Sequence, residues 1–454
     1  MQSNKKSHES EGAVEDVFSI KPIPLEMRKP WTYHAAFWAG VCFVLAAMMV
    51  GGTPISFLPA GLAVISIIVG NIVLLTIFVL TSYLGARTGF STYLLAERAF
   101  GSTGARTLIN LVVSGIPAFA WFGVETWLAA AAIAVLFGWD IGGPGRIMDL
   151  PSATFLLLSG IVMAIPPMLG ITSIAYLDYI MVPIMAIFTI YGIYLAVAVV
   201  PPEFIWSYIP SGFSPGMTLT NFMLTTNLVV GAIMVGATIA ADSARWIKPE
   251  KKNVILASVL GFFAVAVFME IVGMYYAFAA IKAGLSPEIA WNIVLVLKTL
   301  GVPSGPLWPL LIFAWLLQFT TNIANAYAGG LALTNVFKRP KWRKWLILAG
   351  SIIGSIAAVL GLIWYWVAYL TALANWVAPV AGVLIGEYYI LRKGQASFNE
   401  SMPKVRIEAL LAWFLGGLIS YYFTIYIPYL IPSVAGLLVA MILHVLGYVM
   451  RKSI

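Results

Sequence analysis

The sequence predicts an all-α polytopic membrane protein with about twelve transmembrane helices. Three observations predict it. Of its 454 residues, 61% are hydrophobic and only 10% are charged, whereas a soluble domain is about 45–50% apolar and 25% charged. The apolar residues fall into runs of roughly 20 or more, enough to cross a bilayer as a helix, separated by Gly, Pro or basic clusters. With twelve spans, all of the 26 Lys and Arg except Arg146, Lys282 and Lys298 lie on the side that carries both termini. Cytoplasmic loops hold such an excess of Lys and Arg. Both termini are therefore expected in the cytoplasm and the chain in the plasma or inner membrane. The +8 formal charge is an orientation signal and not the footprint of a nucleic-acid binder.

The elements follow in order. Residues 1–30 hold ten charged side chains, lack the apolar core of a cleaved signal peptide, and read as a tail that is disordered or lies on the surface. Spans are expected at 33–54, 57–84, 105–137, 152–171, 173–200, 221–244, 252–281, 305–336, 345–364, 366–391, 407–425 and 427–450. Runs such as LAVISIIVGNIVLLTIFVL (62–80) do not alternate, so a β-barrel is disfavoured. Trp31, Tyr33, Trp206, Tyr208, Trp308, Trp342 and Tyr426 sit near span ends, as interfacial aromatics do. The single Cys42 and the scattered His8, His34 and His444 provide no internal disulfide and no metal-binding motif, so no cofactor is expected. Nor do they provide the nucleophile or acid–base pair of a membrane enzyme. Repeated pore signatures or charge rings of a channel are not seen.

Polar groups at mid-span are expensive in lipid and read as functional. Four places stand out. In AFAWFGVETWLAA (118–130), Trp121 and Glu125 are one turn apart and share a helix face. An indole beside a carboxyl makes a platform for a planar solute with N–H donors; the plainer alternative is a protonated structural Glu. In LLQFTTNIANAYAGG (316–330), Gln318, Thr320, Thr321, Asn322 and Asn325 crowd one stretch. Adjacent hydroxyls near loosened carbonyls suit a sodium ion, while Thr321 bonding back to the Leu317 carbonyl is the ordinary alternative. Glycine-interrupted runs at 46–54 and 229–242 occupy matching places in two halves, as in inverted-repeat transporters with the site at the breaks. Glu270 is a lone acid near the middle of the seventh span, and structural and proton-coupling roles are both open.

The segments GARTGFSTYLLAERAFG (85–101), WFGVETWL (121–128), ATIAADSARW (237–246) and TTNIANAYAGGLALTN (320–335), in that order, resemble nucleobase–cation symporter family 1. Its members include cytosine permeases and hydantoin, allantoin, uracil and purine transporters. The resemblance implies a five-plus-five inverted repeat of the leucine-transporter type, with repeats at 31–200 and 201–395 and two further helices in 396–454. It implies that Trp121 stacks on the substrate. Glu125 falls where hydantoin, allantoin and purine members carry Gln; a carboxylate there favours solutes rich in N–H donors or cationic ones, or couples a proton. Thr320 and Thr321 match the hydroxyl pair of the family's sodium site with the Leu317 carbonyl, and Val44 and Ala47 would add first-helix carbonyls. Asn325, with Asn322 as its rival, lies near a substrate-binding Asn. Gly231, Ala232, Ile233 and Val235 line the sixth-helix segment where cytosine permeases show serines and an aromatic, so only backbone groups remain to bind there. Met48 takes a first-helix position that is Gln in hydantoin-type members. The resemblance thus implies a secondary active transporter importing a nucleobase or related planar nitrogen heterocycle by symport with Na⁺ or H⁺. A symporter of the same fold for another small solute, such as an amino acid or vitamin-like compound, is the alternative. The expected partners are that solute and the lipid bilayer, with no nucleic acid and no obligate protein partner.

Overall fold

The computed structural model describes residues 21–169, 183, 186–187, 189–301, 308–395 and 402–453, nearly all of them helical. The first span is broken. Helix α1 (Thr32–Cys42) and helix α2 (Leu45–Gly52) meet at a bend of 61°. There follow α3 (Ala60–Thr88), the short α4 (Thr92–Phe100), α5 (Ser102–Phe137), α6 (Leu150–Leu169) and α7 (Thr189–Val199). The second half has α8 (Pro215–Ala244), α9 (Lys251–Lys282), the short α10 (Ile293–Gly301), α11 (Trp308–Phe337), α12 (Pro340–Val359) and α13 (Leu362–Leu391). Helices α14 (Ile407–Tyr426) and α15 (Pro432–Ser453) close the chain. Among the described residues nine helices are long and apolar enough to cross a membrane, or ten with the bent pair as one. Much of the first part of the span expected at 173–200 and the start of that at 305–336 lie outside the described residues.

Local chemistry explains several ends. Helix α3 stops at Gly89, whose φ of +74° favours glycine. Ser91 caps α4, accepting from Leu94 N at 3.4 Å. Asp149 starts α6, taking N–H bonds from Asp140 at 3.0 Å and Ser152 at 2.9 Å. Those bonds, the Asp140 one foremost, hold its carboxyl below the usual carboxylate value.

The first break is not where the glycines are. It falls at Phe43 and Val44, the latter fully extended (φ −147°, ψ 154°). Gly51 and Gly52 lie beyond it, inside α2, and serve packing. A Cβ on Gly51 would lie 1.7 Å from the Glu270 carbonyl oxygen, and one on Gly273 2.1 Å from that of Met48. Small residues let helix backbones approach this closely, so α2 and α9 are joined as one unit. The second break is at Ile233 (φ −119°, ψ 16°), inside the glycine-interrupted run of α8. Gly51→Val is expected to destabilise the protein by about 1–3 kcal/mol or more, read as a lowered Tm in detergent. An unchanged Tm would show that α2 and α9 separate at no cost.

At the basic end of the bundle, the C-terminal helices are fastened through one buried acid. Glu387 Oε2 meets Arg406 Nη1 and His444 Nε2, each at 2.9 Å, and Oε1 meets Arg392 Nε at 2.6 Å. Arg406 also donates to the Arg98 carbonyl at 2.5 Å, which ties α14 to α4.

Candidate functional site

The two breaks face a cavity whose empty space, opening included, is about 960 Å³. It is walled by α1, α2, α5, α8, α9 and α11. The unwound points matter because a broken helix leaves backbone N–H and C=O groups without intrahelical partners. In a bilayer these need other partners, and they carry the partial charges of the helix ends.

Trp121 lines the cavity and is 8% exposed. Its ring is fixed by two edge contacts from α13, Trp366 at 5.6 Å and Tyr369 at 5.5 Å. The Tyr369 hydroxyl donates to the Pro117 carbonyl, one turn before Trp121, at 3.2 Å. Trp366 in turn stacks on Trp291 at 6.3 Å. These rings cover the indole on the α13 side, while the cavity runs the other way, past Trp38 and Asp242, towards the basic end. Trp38 is held there by a buried polar chain. Its Nε1 donates to Ser243 Oγ at 3.0 Å, and His34 bridges Ser243 and Ser82 at 3.1 Å on each side.

Glu125 also lines the cavity. Its Oε2 accepts from Gln318 Nε2, and Gln318 Oε1 accepts from Leu45 N at 3.0 Å. Leu45 is the first residue of α2, so its N–H is one of the free donors the break creates. By sequence alone Gln318 is one of several polar residues crowding α11, with nothing to mark its role. Its reach to both Glu125 and Leu45 depends on the tertiary meeting of α2, α5 and α11, which no spacing rule encodes. Glu125 makes no ion pair among the described residues and has Oε1 left for a solute.

The two asparagines separate. Asn325 lines the cavity, and its Nδ2 has no protein partner. Asn322 points away from it: its Nδ2 donates to Thr126 Oγ1 at 2.8 Å and contacts Met163 Sδ at 3.2 Å. Ala232, Ile233 and Val235 border the cavity. Gly231 does not, because it packs on α13, where a Cβ would lie 2.1 Å from the Leu370 carbonyl oxygen. Met48 meets α9 through its backbone and is absent from the cavity wall.

The hydroxyls of α11 meet the end of α1. Thr321 Oγ1 donates to the Gly40 carbonyl at 3.2 Å and the Val41 carbonyl at 3.0 Å. Thr320 Oγ1 reaches Gly40 O at 3.3 Å and Leu317 O at 3.4 Å. Thr321 therefore bonds across to another helix and not back onto its own. The helix-1 carbonyls that join the pair are those of Gly40 and Val41, one turn earlier than the expected Val44 and Ala47. Ala47 lies within α2, whose interior carbonyls serve the helix, and the Val44 carbonyl accepts from Ala47 N at 3.2 Å. The donor set suits a monovalent hard cation: hydroxyls and helix-end carbonyls, all neutral oxygens, at the negative end of α1.

Residues 22–449 match the family model described as permease for cytosine/purines, uracil, thiamine and allantoin. The cytosine permease of Escherichia coli K12 is 30% identical over 414 residues, 88% of this chain and 87% of that one. The hydantoin permease of Microbacterium maritypicum is 22% identical, over 90% of this chain and 84% of that one. Among solved structures, Mhp1, a nucleobase-cation-symport-1 family transporter in a closed conformation with bromovinylhydantoin bound, superposes with a TM-score of 0.78 at 19% identity. That alignment covers 96% of this chain and 95% of that one.

Proposed function

The chain belongs to the family of permeases for cytosine/purines, uracil, thiamine and allantoin, and on that premise we propose that it takes up a planar nitrogen heterocycle together with sodium at the breaks of α1–α2 and α8. It is a secondary transporter of nucleobase-related solutes and not an enzyme. One observation carries the site assignment: Trp121, Glu125 and Asn325, from α5 and α11, line the same cavity at the break of the first span. The indole offers a face for stacking. Glu125 Oε1 accepts an N–H, and the Asn325 amide has a free donor for a ring carbonyl or nitrogen.

Sodium would be held by Thr320, Thr321 and the carbonyls of Gly40, Val41 and Leu317. These groups span α1 and α11, so the ion draws the two helices together beside the solute. Coupling requires that the ion favour the arrangement that binds solute. The chain Leu45–Gln318–Glu125 supplies a physical link, since it connects the start of α2 to the solute-facing carboxyl. The cavity extends towards the basic end, so the arrangement fits an inward-facing state with the basic end and both termini in the cytoplasm.

Base–aromatic stacking is worth roughly 1–3 kcal/mol by alanine substitution. Trp121→Ala is therefore expected to raise the half-saturation concentration by about five- to 150-fold in liposomes loaded with the purified protein. The panel is cytosine, uracil, hypoxanthine, hydantoin and allantoin. Saturable uptake of none of these by the parent protein would overturn the transport reading. Unaltered half-saturation in the variant would remove Trp121 from the site.

A further inference from the structure

One buried acid of the cavity wall lies outside the cation site and the stacking pair. Glu270 on α9 is fully enclosed by protein and borders the cavity. Its Oε2 accepts from Asn71 Nδ2 of α3 at 2.7 Å, and the same Nδ2 reaches the Ile67 carbonyl at 3.0 Å. The other two oxygens of this pair, Glu270 Oε1 and Asn71 Oδ1, are both buried and without a donor. Both are acceptors, so the pair lacks one hydrogen. Two buried oxygens without a donor on one carboxyl–amide pair call for a hydrogen to meet them.

Among the described residues no side chain donates to either of these oxygens. Glu270 makes no ion pair among the described residues. From α3 the facing side chain is Asn71 itself, and from α1 the titratable neighbour is Cys42. From α2 the contact is backbone, at Gly51. We propose that Glu270 and Asn71 form a proton-binding site used in the transport cycle, loaded from the cavity and separate from the cation site of α1 and α11. This rests on the transport reading above.

The step is a simple protonation. A proton from cavity water binds Glu270 Oε1, converting carboxylate to carboxylic acid. The new O–H supplies the one hydrogen that the pair lacks, while Asn71 Nδ2 keeps donating to Oε2. Release returns the proton to water when the cavity opens to the other side. The charge state also reaches the moving parts. The Glu270 backbone is the surface on which Gly51 of α2 rests, and α2 begins at the Leu45 N–H that Gln318 holds. A bare carboxylate in a dry wall is costly, so the deprotonated form belongs with a wetted, opened wall.

The test uses the full chain in liposomes, with the same five labelled bases and the membrane potential clamped at zero. Two quantities are read: exchange at equal pH, and uptake driven by an inside-alkaline gradient of one pH unit without a sodium gradient. For one proton per solute, the parent is expected to accumulate base up to about tenfold, the equivalent of one pH unit. Glu270→Gln keeps the shape and carries its own hydrogens in place of the missing one. It is expected to go on exchanging base but to lose the gradient-driven accumulation. A luminal pH dye in the parent gives a second readout that needs no variant: the lumen should acidify as base enters. Gradient-driven accumulation by Glu270→Gln equal to the parent's would overturn the proposal, as would base entry into parent vesicles without acidification. A parent that exchanges base but ignores the pH gradient overturns it too, and leaves the transport reading intact. Absence of any exchange in the parent would instead overturn the transport reading, and this proposal with it.

Discussion

Thr321→Ala is expected to abolish the stimulation of base binding by sodium while leaving the protein folded and still able to bind base weakly. The Thr321 hydroxyl is the one group that touches both terminal carbonyls of α1, Gly40 at 3.2 Å and Val41 at 3.0 Å. Without the ion its proton bridges them; with the ion the same oxygen turns a lone pair to the cation, and the carbonyls are freed to do likewise. Alanine removes that oxygen and leaves the Val41 carbonyl without its side-chain partner, while Gly40 keeps only Thr320. Coupling free energies between sites are typically about 1–3 kcal/mol, or roughly 5–150-fold in affinity. The parent should therefore bind base that much more tightly in saturating sodium than without it. By reciprocity, base should tighten sodium by the same factor, and both factors should fall to one in the variant. Thermal-shift titrations of purified protein measure both arms. Thr321→Ser, which keeps the oxygen, should retain most of the effect. A normal sodium response in Thr321→Ala would dismiss α1 and α11 as the ion site.

Much of this architecture was legible in the sequence, and the parts that were not share a physical reason. Hydropathy located the nine or ten spans found among the described residues, because a bilayer imposes length and polarity on every crossing segment. Trp121 and Glu125 were legible because an indole and a carboxyl one turn apart have few reasons to sit in an apolar helix. The register of the first break was not. Gly51 and Gly52 look like a helix interruption, yet they are the contact surface for Glu270 and Ala290, and the chain unwinds at Phe43–Val44 instead. A glycine allows both a kink and a close approach, and only the neighbouring helix decides which. The same holds for Asn322 and Asn325. Three positions apart on α11, they are equivalent in composition, but one meets Thr126 and the other meets the cavity. The partnership of Glu270 with Asn71 joins residues 199 apart in the chain, beyond the reach of any local pattern.

Glu125→Gln is expected to reverse preference between bases that differ at one edge. The argument runs along a chain of directed hydrogen bonds. The Leu45 N–H can only donate, so it fixes Gln318 with its carbonyl oxygen towards α2 and its amide nitrogen towards Glu125. Glu125 must then accept at Oε2, and when ionised against an N–H of the solute it presents a pure acceptor, Oε1. A glutamine at 125 receives the same Gln318 donor on its own oxygen, and that turns its NH2 to the cavity. The group facing the solute changes from acceptor to donor. Cytosine offers an exocyclic amine where uracil offers a carbonyl, so the parent should favour the amine-bearing base at this edge and the variant the carbonyl-bearing one. Hydrogen bonds to charged groups contribute about 1.5–3 kcal/mol. The ratio of half-saturation concentrations for the two bases should therefore move by at least about tenfold. Gln318→Met should blunt the same discrimination without touching the solute, because it frees the carboxyl to rotate. An identical cytosine-to-uracil ratio in parent and Glu125→Gln would mean that the carboxyl does not meet the base, and the directed chain from Leu45 would then end on a structural acid.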